Sequence, residues 1–466
     1  RDRYFQRRNR GTQPPPIIQP AALSAERHIV IRPAIVKPRP WRFPTLLRSS
    51  LDSGLELAFI DLPGQALASV ELVLPSPLEA EPRDKEGVAT VVLHSCDEAT
   101  IPLPDIVEQL ELQGAALLGK STWGYTQLGL SAPARRLPQA LELFASVVKE
   151  PAFEEPDLTH HIETQIADWR TRKASPTAVT RETLNASLFG LEQREGRPLA
   201  GSPETLEAIT REAAREWHEH TWVPEGSTLI LAGDLKGLDT EKLMAPLENW
   251  RGKRTPAPPP QGIPGRPGIV VVDLPQAAQT VVQAFVPTPG RQDPDWAALK
   301  LGGHIMCGAF ASRLNLELRE RLGYTYGVSG GVSARRTGGS LMLATSLNNN
   351  SAADATARIL EALLSPSPFT DGEVRDAAQY LVQASPLQYE TAADVTTQAA
   401  ALIAADLDPS FIDQYHAALA STTTEQVNTA WCANICPEDV TIAIGGPATF
   451  LEAGLQAAGI QATFIR

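Results

Sequence analysis

Residues 86–100 read EGVATVVLHSCDEAT and place one histidine, His94, in an apolar, helix-like run, with the acidic pair Asp97 and Glu98 just behind it. Histidine and carboxylate are the side chains from which zinc sites and general bases are built. The alternative for His94 is a lone helix histidine with ordinary partners. A second stretch, SRLNLELRERLGYTYGVSGGV at 312–332, offers Arg319, Tyr324 and Tyr326. If 322–332 is a strand, the two rings point to one face, because side chains alternate with period two. Arg319 then falls near the end of the preceding helix. Glu317 and Glu320 are alternative ion-pair partners for it on a solvated surface, and Tyr326 reads equally as a half-buried strand aromatic. His218 and His220 would point about 200° apart on a helix, and the adjacent His160 and His161 are equally poor joint ligands. Cys432 and Cys436 lack a second pair or a histidine at finger spacing. Cys96 and Cys307 read as inert core thiols.

The chain that must position these groups has 466 residues, 43% hydrophobic and 20% charged, with a formal net charge of −13. That length exceeds one compact core and suggests two domains of roughly 200 residues. No apolar run reaches the ~18–20 residues needed to span a bilayer. Residues 1–42 carry a net +8, so the remainder carries −21. The basic arm reads either as a contact for an anionic partner or as a solubilising extension. The acidic body argues against nucleic acid, whose phosphates require a basic footprint. RDRYFQRRNR is followed by GTQPPPIIQP rather than an apolar core, so no secretory signal is expected. Four cysteines in a chain this long do not make a disulfide framework, and a reduced, cytoplasmic setting is expected.

The sequence repeats itself. IDLPGQALASVELVLPSP at 60–77 aligns without a gap with VDLPQAAQTVVQAFVPTP at 272–289, matching Asp61 to Asp273 and Pro63 to Pro275. PEGSTLILAG from Pro224 and PEDVTIAIGG from Pro437 repeat at nearly the same offset. Two such pairs point to a duplicated domain. RGKRTPAPPPQGIPGRPG between the halves is too rich in proline and glycine for a helix or central strand and reads as a semi-rigid linker. The expected organisation is a basic extension at 1–42, a first domain at 43–250, a linker at 251–267 and a second domain at 268–466. Each half runs from strands such as LASVELVLPS and TVVQAFVP, through amphipathic helices, to a last strand. That order predicts an α+β fold of two duplicated domains, each a mostly antiparallel sheet with helices packed on one face.

These elements resemble the pitrilysin/insulinase zinc peptidases, in the short two-domain form that includes mitochondrial processing peptidase subunits. The resemblance covers about residues 43–466, and its most specific stretch is 312–332. The family's zinc motif is H-x-x-E-H on the first helix of the first domain. There, two histidines four apart grip the metal and the glutamate between them is the base. Here Gly87-Val88-Ala89 aligns with the residues before the first ligand. Thr90 stands at the first histidine, Leu93 at the glutamate, and only His94 remains. The family's distant glutamate falls in or near 164–173, where Asp168 is the nearest carboxylate. The resemblance therefore implies no metal in this chain.

The resemblance also implies that Arg319 and Tyr326, seven residues apart, serve the zinc site of an opposite half or subunit. A phenol and a guanidinium fixed in place can stabilise the negative oxygen that develops when water attacks a peptide carbonyl. Tyr324, Gly327, Val328, Ser329 and Gly330 are the expected substrate-binding residues, with Gly327–Ser333 as a sheet edge that takes up peptide as an added strand. A mobile hairpin is the alternative for this segment. The implied function is that of the non-zinc subunit of a heterodimeric metallopeptidase acting on unfolded peptides, leader peptides of modified peptide products among them. Its partner would be a homologous subunit with an intact H-x-x-E-H motif and the zinc. No activity is expected from this chain alone, and no nucleic-acid or membrane partner. The alternative is a non-catalytic scaffold or peptide-binding subunit of a larger complex.

Overall fold

The computed structural model describes residues 41–256, 259, 262–263 and 267–465, and Trp41 onward forms one compact unit. The basic extension, apart from Trp41 and Arg42, and part of the proline-rich linker lie outside the described residues. Two six-stranded sheets carry the fold. The first contains β1 (Leu47–Ser50), β2 (Glu56–Asp61), β3 (Leu67–Leu74), β4 (Ala116–Ser121), β5 (Thr126–Pro133) and β6 (Thr228–Gly233). The second contains β7 (Gly268–Asp273), β8 (Thr280–Thr288), β9 (Thr325–Ala334), β10 (Gly339–Leu347), β11 (Thr441–Gly446) and β12 (Thr463–Ile465). Their spatial orders are β1-β2-β6-β3-β5-β4 and β12-β7-β11-β8-β10-β9. Pairing is antiparallel except for β2 with β6, β7 with β11, and β7 with β12.

The duplication is visible in side-chain chemistry as well as strand order. Asp61 Oδ1 accepts from Leu235 N at 3.1 Å, and Asp273 Oδ1 accepts from Ala448 N at 2.9 Å. Each aspartate thus ties the end of β2 or β7 to the chain leaving its parallel neighbour, β6 or β11.

Helices of the first half are α1 (Val88–Ser95), α2 (Ile106–Leu112), α3 (Leu137–Lys149), α4 (Glu155–Lys173), α5 (Pro176–Phe189), α6 (Pro203–Glu207), α7 (Arg211–Thr221) and α8 (Thr240–Met244). Those of the second are α9 (Trp296–Gly303), α10 (Ala352–Leu364), α11 (Asp371–Ala384), α12 (Ala392–Ile403), α13 (Phe411–Ser421), α14 (Thr424–Asn434) and α15 (Ala448–Ala457). Among the described residues, no helix is long and apolar enough to cross a membrane.

The arrangement is the expected α+β pair of sheets with one addition. Each sheet has helices of its own half on one face and a helix of the other half on the opposite face. Helix α5 starts at Pro176 behind the Ser175 cap and packs Leu184, Leu188 and Phe189 on Val270, Phe285 and Ala443 of the second sheet. Burying such side chains contributes about 2 kcal/mol each. Gly445 makes room for it, since a Cβ there would stand 2.0 Å from Thr180 Oγ1. Reciprocally, Val395, Ala399 and Leu402 of α12 cover Ala58, Ile60, Val73 and Ile230 of the first sheet. Ser69 Oγ lies 2.9 Å from Thr396 Oγ1 across that contact.

Helix α1 is held by a buried ion-pair network rather than by a side-chain cap of its own. Gly87, at φ +100°, opens the helix, and a Cβ there would meet Ala200 O at 2.6 Å. Glu81 Oε1 accepts from the N–H groups of Gly87 and Ala89 at 3.1 and 3.0 Å, satisfying two donors that a helix start leaves unpaired. Its other oxygen takes Arg194 Nε and Nη2 at 3.0 and 2.8 Å, and Arg197 grips Glu86 alongside. Burial pushes the Glu81 carboxyl up, and Arg194 opposes that shift. Breaking a buried pair strands a charge, which costs about 3–5 kcal/mol. Arg194→Met is therefore expected to lower unfolding stability by about that amount, read from urea midpoints. Arg48→Met, at the exposed pair with Asp408, is expected to change it by no more than about 1 kcal/mol.

Candidate functional site

Two regions were expected to carry chemistry, α1 and the segment leading into β9. On α1, every residue of Val88–Ser95 except His94 is buried. Thr90 is turned inward, and its Oγ1 is buried without a hydrogen-bond partner. Leu93 packs on β4 so closely that a Cβ on Gly119 would stand 2.6 Å from its Cδ1. His94 stacks on His161 with ring centroids 6.3 Å apart, and His161 Nε2 lies 2.8 Å from Glu98 Oε1. Burial and the neighbouring His161 lower the His94 pKa, while Asp168 on α4 raises it. Asp168 thus acts on His94 through its charge, without a hydrogen bond or ion pair to it. The donor set is still incomplete. A hydroxyl and an isobutyl group stand where a ligand and a base are needed, and no group of three or more His, Cys, Asp or Glu among the described residues could hold a metal ion. The residues present do not fit zinc.

In the second half, the LRE segment is a π-helix, Asn315–Arg321, not an α-helix. A second π-helical turn, His304–Gly308, follows α9. Such wide turns are rare and concentrate at functional sites. Arg319 lies on the first of them. Its guanidinium covers the ring of Phe310 at 4.1 Å and pairs with Glu320 at 3.4 Å, while Glu317 goes to Arg321 and Arg358. Phe310 is itself exposed.

Tyr326 is 91% exposed. Strict alternation along β9 would turn it inward with Val328 and Val332, which are buried. A β-bulge prevents that. Thr345 pairs with Val328 and Leu347 with Thr325, so β9 spends three residues where β10 spends two. The Thr325 and Thr345 hydroxyls lie 2.9 Å apart and each lies 3.0 Å from Gly327 O, fixing the bulge. Bulges re-aim side chains in this way.

The expectation that Tyr324 and Tyr326 line one surface is corrected by the same feature. The strand begins only at Thr325, and Tyr324 packs against the second core, where the Asp354 carboxylate raises the pKa of its phenol. Arg319 and Tyr326 make no hydrogen bond or ion pair with each other.

The β9 edge also differs from the expectation. Asn315 is buried and fills the outer side of Val328, its Oδ1 accepting from Val328 N at 2.7 Å and its Nδ2 donating to Val328 O at 2.9 Å. Lys300 Nζ donates to Val332 O at 2.8 Å. Gly327 is engaged by the threonines, and Ser329 pairs with Ala344. Gly330 lacks a side chain because of its own neighbours. A Cβ there would stand 2.3 Å from Met342 O and 2.9 Å from Cys307 Sγ. Gly327–Ser333 is therefore an edge already occupied at two positions by α9 and the π-helix. The edge of the first sheet, β4, is exposed along most of its length, with Leu118 77% exposed.

One titratable group was missed by motif reading. Glu71 lies in the apolar run of β3, on the face that α12 partly covers, and is 6% exposed. Burial raises its pKa to about 7, against opposing effects of a hydrogen bond from Gln127 and the charge of Lys120 on β4. Gly129 on β5 leaves the space, since a Cβ there would lie 3.2 Å from Glu71 Oε2. The only sequence signal was a charge inside VELVL.

Residues 57–202 match the family model described as Insulinase (Peptidase family M16), and residues 208–381 match the one described as Peptidase M16 inactive domain. A curated relative described as an uncharacterized zinc protease of Mycobacterium tuberculosis is 26% identical over 291 residues, covering 60% of this chain and 65% of that protein. The chain thus spans just under two thirds of that relative's length. A similarly described protein of Mycobacterium leprae is 26% identical over 342 residues, covering 71% and 76%. Among solved structures, a peptidase M16 inactive domain from Pseudomonas fluorescens superposes with TM-score 0.79 at 22% identity, covering 86% of this chain and 98% of that one. A protease from Helicobacter pylori gives 0.79 at 15% identity, covering 87% and 100%. The chain belongs to peptidase family M16, the pitrilysin/insulinase family, as a member whose first-domain zinc motif is degenerate.

The Glu71 environment makes a pH prediction. Its folded pKa lies above the unfolded value of 4.5, so the folded state binds the extra proton and stability falls as pH rises from about 4.5 through about 7. At 1.36 kcal/mol per unit the loss is on the order of 3 kcal/mol. Glu71→Gln is expected to match the parent near pH 5 and to be more stable at pH 8, by chemical denaturation at both.

Proposed function

We propose that this chain is the non-zinc subunit of a heterodimeric peptidase that cleaves unfolded peptides, with leader peptides of modified peptide products among its candidate substrates. A homologous partner with an intact H-x-x-E-H motif supplies metal and base. This chain supplies Tyr326 and Arg319 as donors to the oxygen that becomes negative during attack on the peptide bond. The observation that carries the reading is the exposed Tyr326, turned into solvent by a built bulge, in a chain whose own α1 has no metal-binding set. The stack on Phe310 fixes the Arg319 guanidinium, and Glu320 meets only its Nη1, so the other N–H groups stay available to a substrate oxygen. Strand addition of peptide is assigned to the exposed edge β4 rather than to β9.

A scaffold role is the second reading. It draws on the partners that Arg319 already has in Phe310 and Glu320. It also draws on the likeness of fold, TM-score 0.73 at 15% identity over 90% of this chain and 100% of the other, to a chain of Complex III2 from Candida albicans.

Co-expression with an H-x-x-E-H homologue separates the two. The complex should hydrolyse an unfolded peptide faster than either chain alone, and Arg319→Ala or Tyr326→Phe should each cost ~10²–10³ in kcat. Full activity with both substitutions removes these residues from the mechanism. Activity no higher than the homologue's own favours the scaffold. Stoichiometric zinc with hydrolysis by this chain alone would sink the two-chain reading.

A further inference from the structure

Helix α9 stands in the second half where α1 stands in the first. Each is the first α-helix after β3 or β8, and each packs on an edge strand of its sheet, β4 or β9. Every residue of Trp296–Gly303 except Lys300 is buried. His304, half-buried, opens the π-helical turn that follows and shares a face with Lys300, four residues before it. The helix equivalent to that of the degenerate motif thus presents two basic side chains. Arg291, in the loop from β8 to α9, adds a third. Its Nη1 donates to Ala401 O of α12 at 3.4 Å, and it makes no ion pair among the described residues. Lys300 Nζ donates to Val332 O at 2.8 Å, and His304 stacks on Tyr380 with ring centroids 5.1 Å apart. Tyr380 is 60% exposed, so this face opens to solvent.

The three basic groups face one another without a counter-charge. Burial lowers the pKa of each; the Arg291 charge lowers Lys300 further, and the Lys300 charge lowers His304. The other titratable groups that act on Arg291 are the phenols of Tyr125, Tyr389 and Tyr415, and burial raises their pKa values, so they stay neutral. Carboxylates of the neighbouring elements are engaged elsewhere. Asp293 accepts from Asp295 N, and Asp295 from Asn434. Asp376 on α11 pairs with Arg375, and Asp413 on α13 accepts from Phe43 N. Glu71 acts on Tyr125 but is itself held toward its neutral form by burial. A basic cluster with no carboxylate of its own, in an acidic body, selects an anion, and a guanidinium engaged only at Nη1 suits a carboxylate.

We propose that Arg291, Lys300 and His304 bind a carboxylate of the peptide substrate, an acidic side chain or the C-terminus, so that acidic peptides are the preferred class. The inference rests on the peptide-cleaving reading above. The His304–Gly308 turn runs into Phe310, on which Arg319 stacks. The anchored carboxylate therefore lies on the same segment as the platform of the second-half donors.

Calorimetric titration of the full chain at about pH 7 tests it with acetyl-Tyr-Ala-Glu-Ala-amide, its glutamine counterpart, and that glutamine peptide with a free C-terminal carboxyl. A carboxylate-bearing peptide should bind saturably and about tenfold more tightly than the neutral one, a difference of about 1.4 kcal/mol. Which of the two does so separates a side-chain from a terminal carboxylate. Arg291→Gln should bring that peptide within about twofold of the neutral one, and His304→Gln should weaken it about threefold. Three results overturn the proposal: no saturable heat up to about 5 mM peptide, equal affinities for all the peptides, or the parent's discrimination kept within about twofold in folded Arg291→Gln. If Arg291→Gln does not fold, His304→Gln decides by the same criterion. No partner and no cleavage enter these titrations. Their failure strikes the carboxylate site, whereas failure of the peptidase reading shows as absent hydrolysis by the two-chain complex.

Discussion

Each sheet has two apolar faces, and the helices of its own half cover only one. That constraint governs the rest of the molecule. The second face is closed by a helix lent from the other half, α5 in one direction and α12 in the other. Neither loan is local in sequence, and each is fitted closely, at Gly445 against Thr180 and at Ser69 against Thr396. The two halves therefore share one cooperative unit although each repeats the other's strand order. The proline-rich connection joins halves that already hold one another.

Within that frame, the first-half site persists as architecture without its chemistry. Glu81, Arg194, Glu86 and Arg197 fix α1 from its N-terminal end, independently of any metal. Once the helix is held this way, substitution of Thr90 and Leu93 does not release it. Leu93 instead adds packing against Gly119 of β4. The candidate site of the second half is the complement. Its backbone is locked by Asn315, Lys300 and the paired threonines, and the side chain it presents, Tyr326, stands free.

Much of this was legible in the residues. The repeated I/V-D-L-P and P-E-x-x-T segments became equivalent strands, with Asp61 and Asp273 in the same role. The side chains that α1 carries at Thr90 and Leu93, a hydroxyl and an isobutyl group, could be read at once, because they are a property of residue type. The failures share a cause. Period-two reading placed Tyr324 and Tyr326 together, but the bulge depends on Thr345, twenty residues from Thr325 in the chain. The glycines of 327–331 suggested room for a visiting strand. That room is filled by Cys307 and Asn315, brought there by π-helical turns that no local pattern announces. The exchanged helices and the burial of Glu71 are likewise products of packing between distant segments.

The exchange of α5 and α12 has a consequence for how such a protein can diverge. After a duplication, two copies are normally free to drift as separate modules. Here each half carries inside it a piece of its neighbour's interior, so a change on α5 is judged by the second sheet and a change on α12 by the first. A half transplanted from a relative would arrive with the wrong helix for its host and without the one its own sheet requires. Inheritance therefore acts on the pair as a single unit.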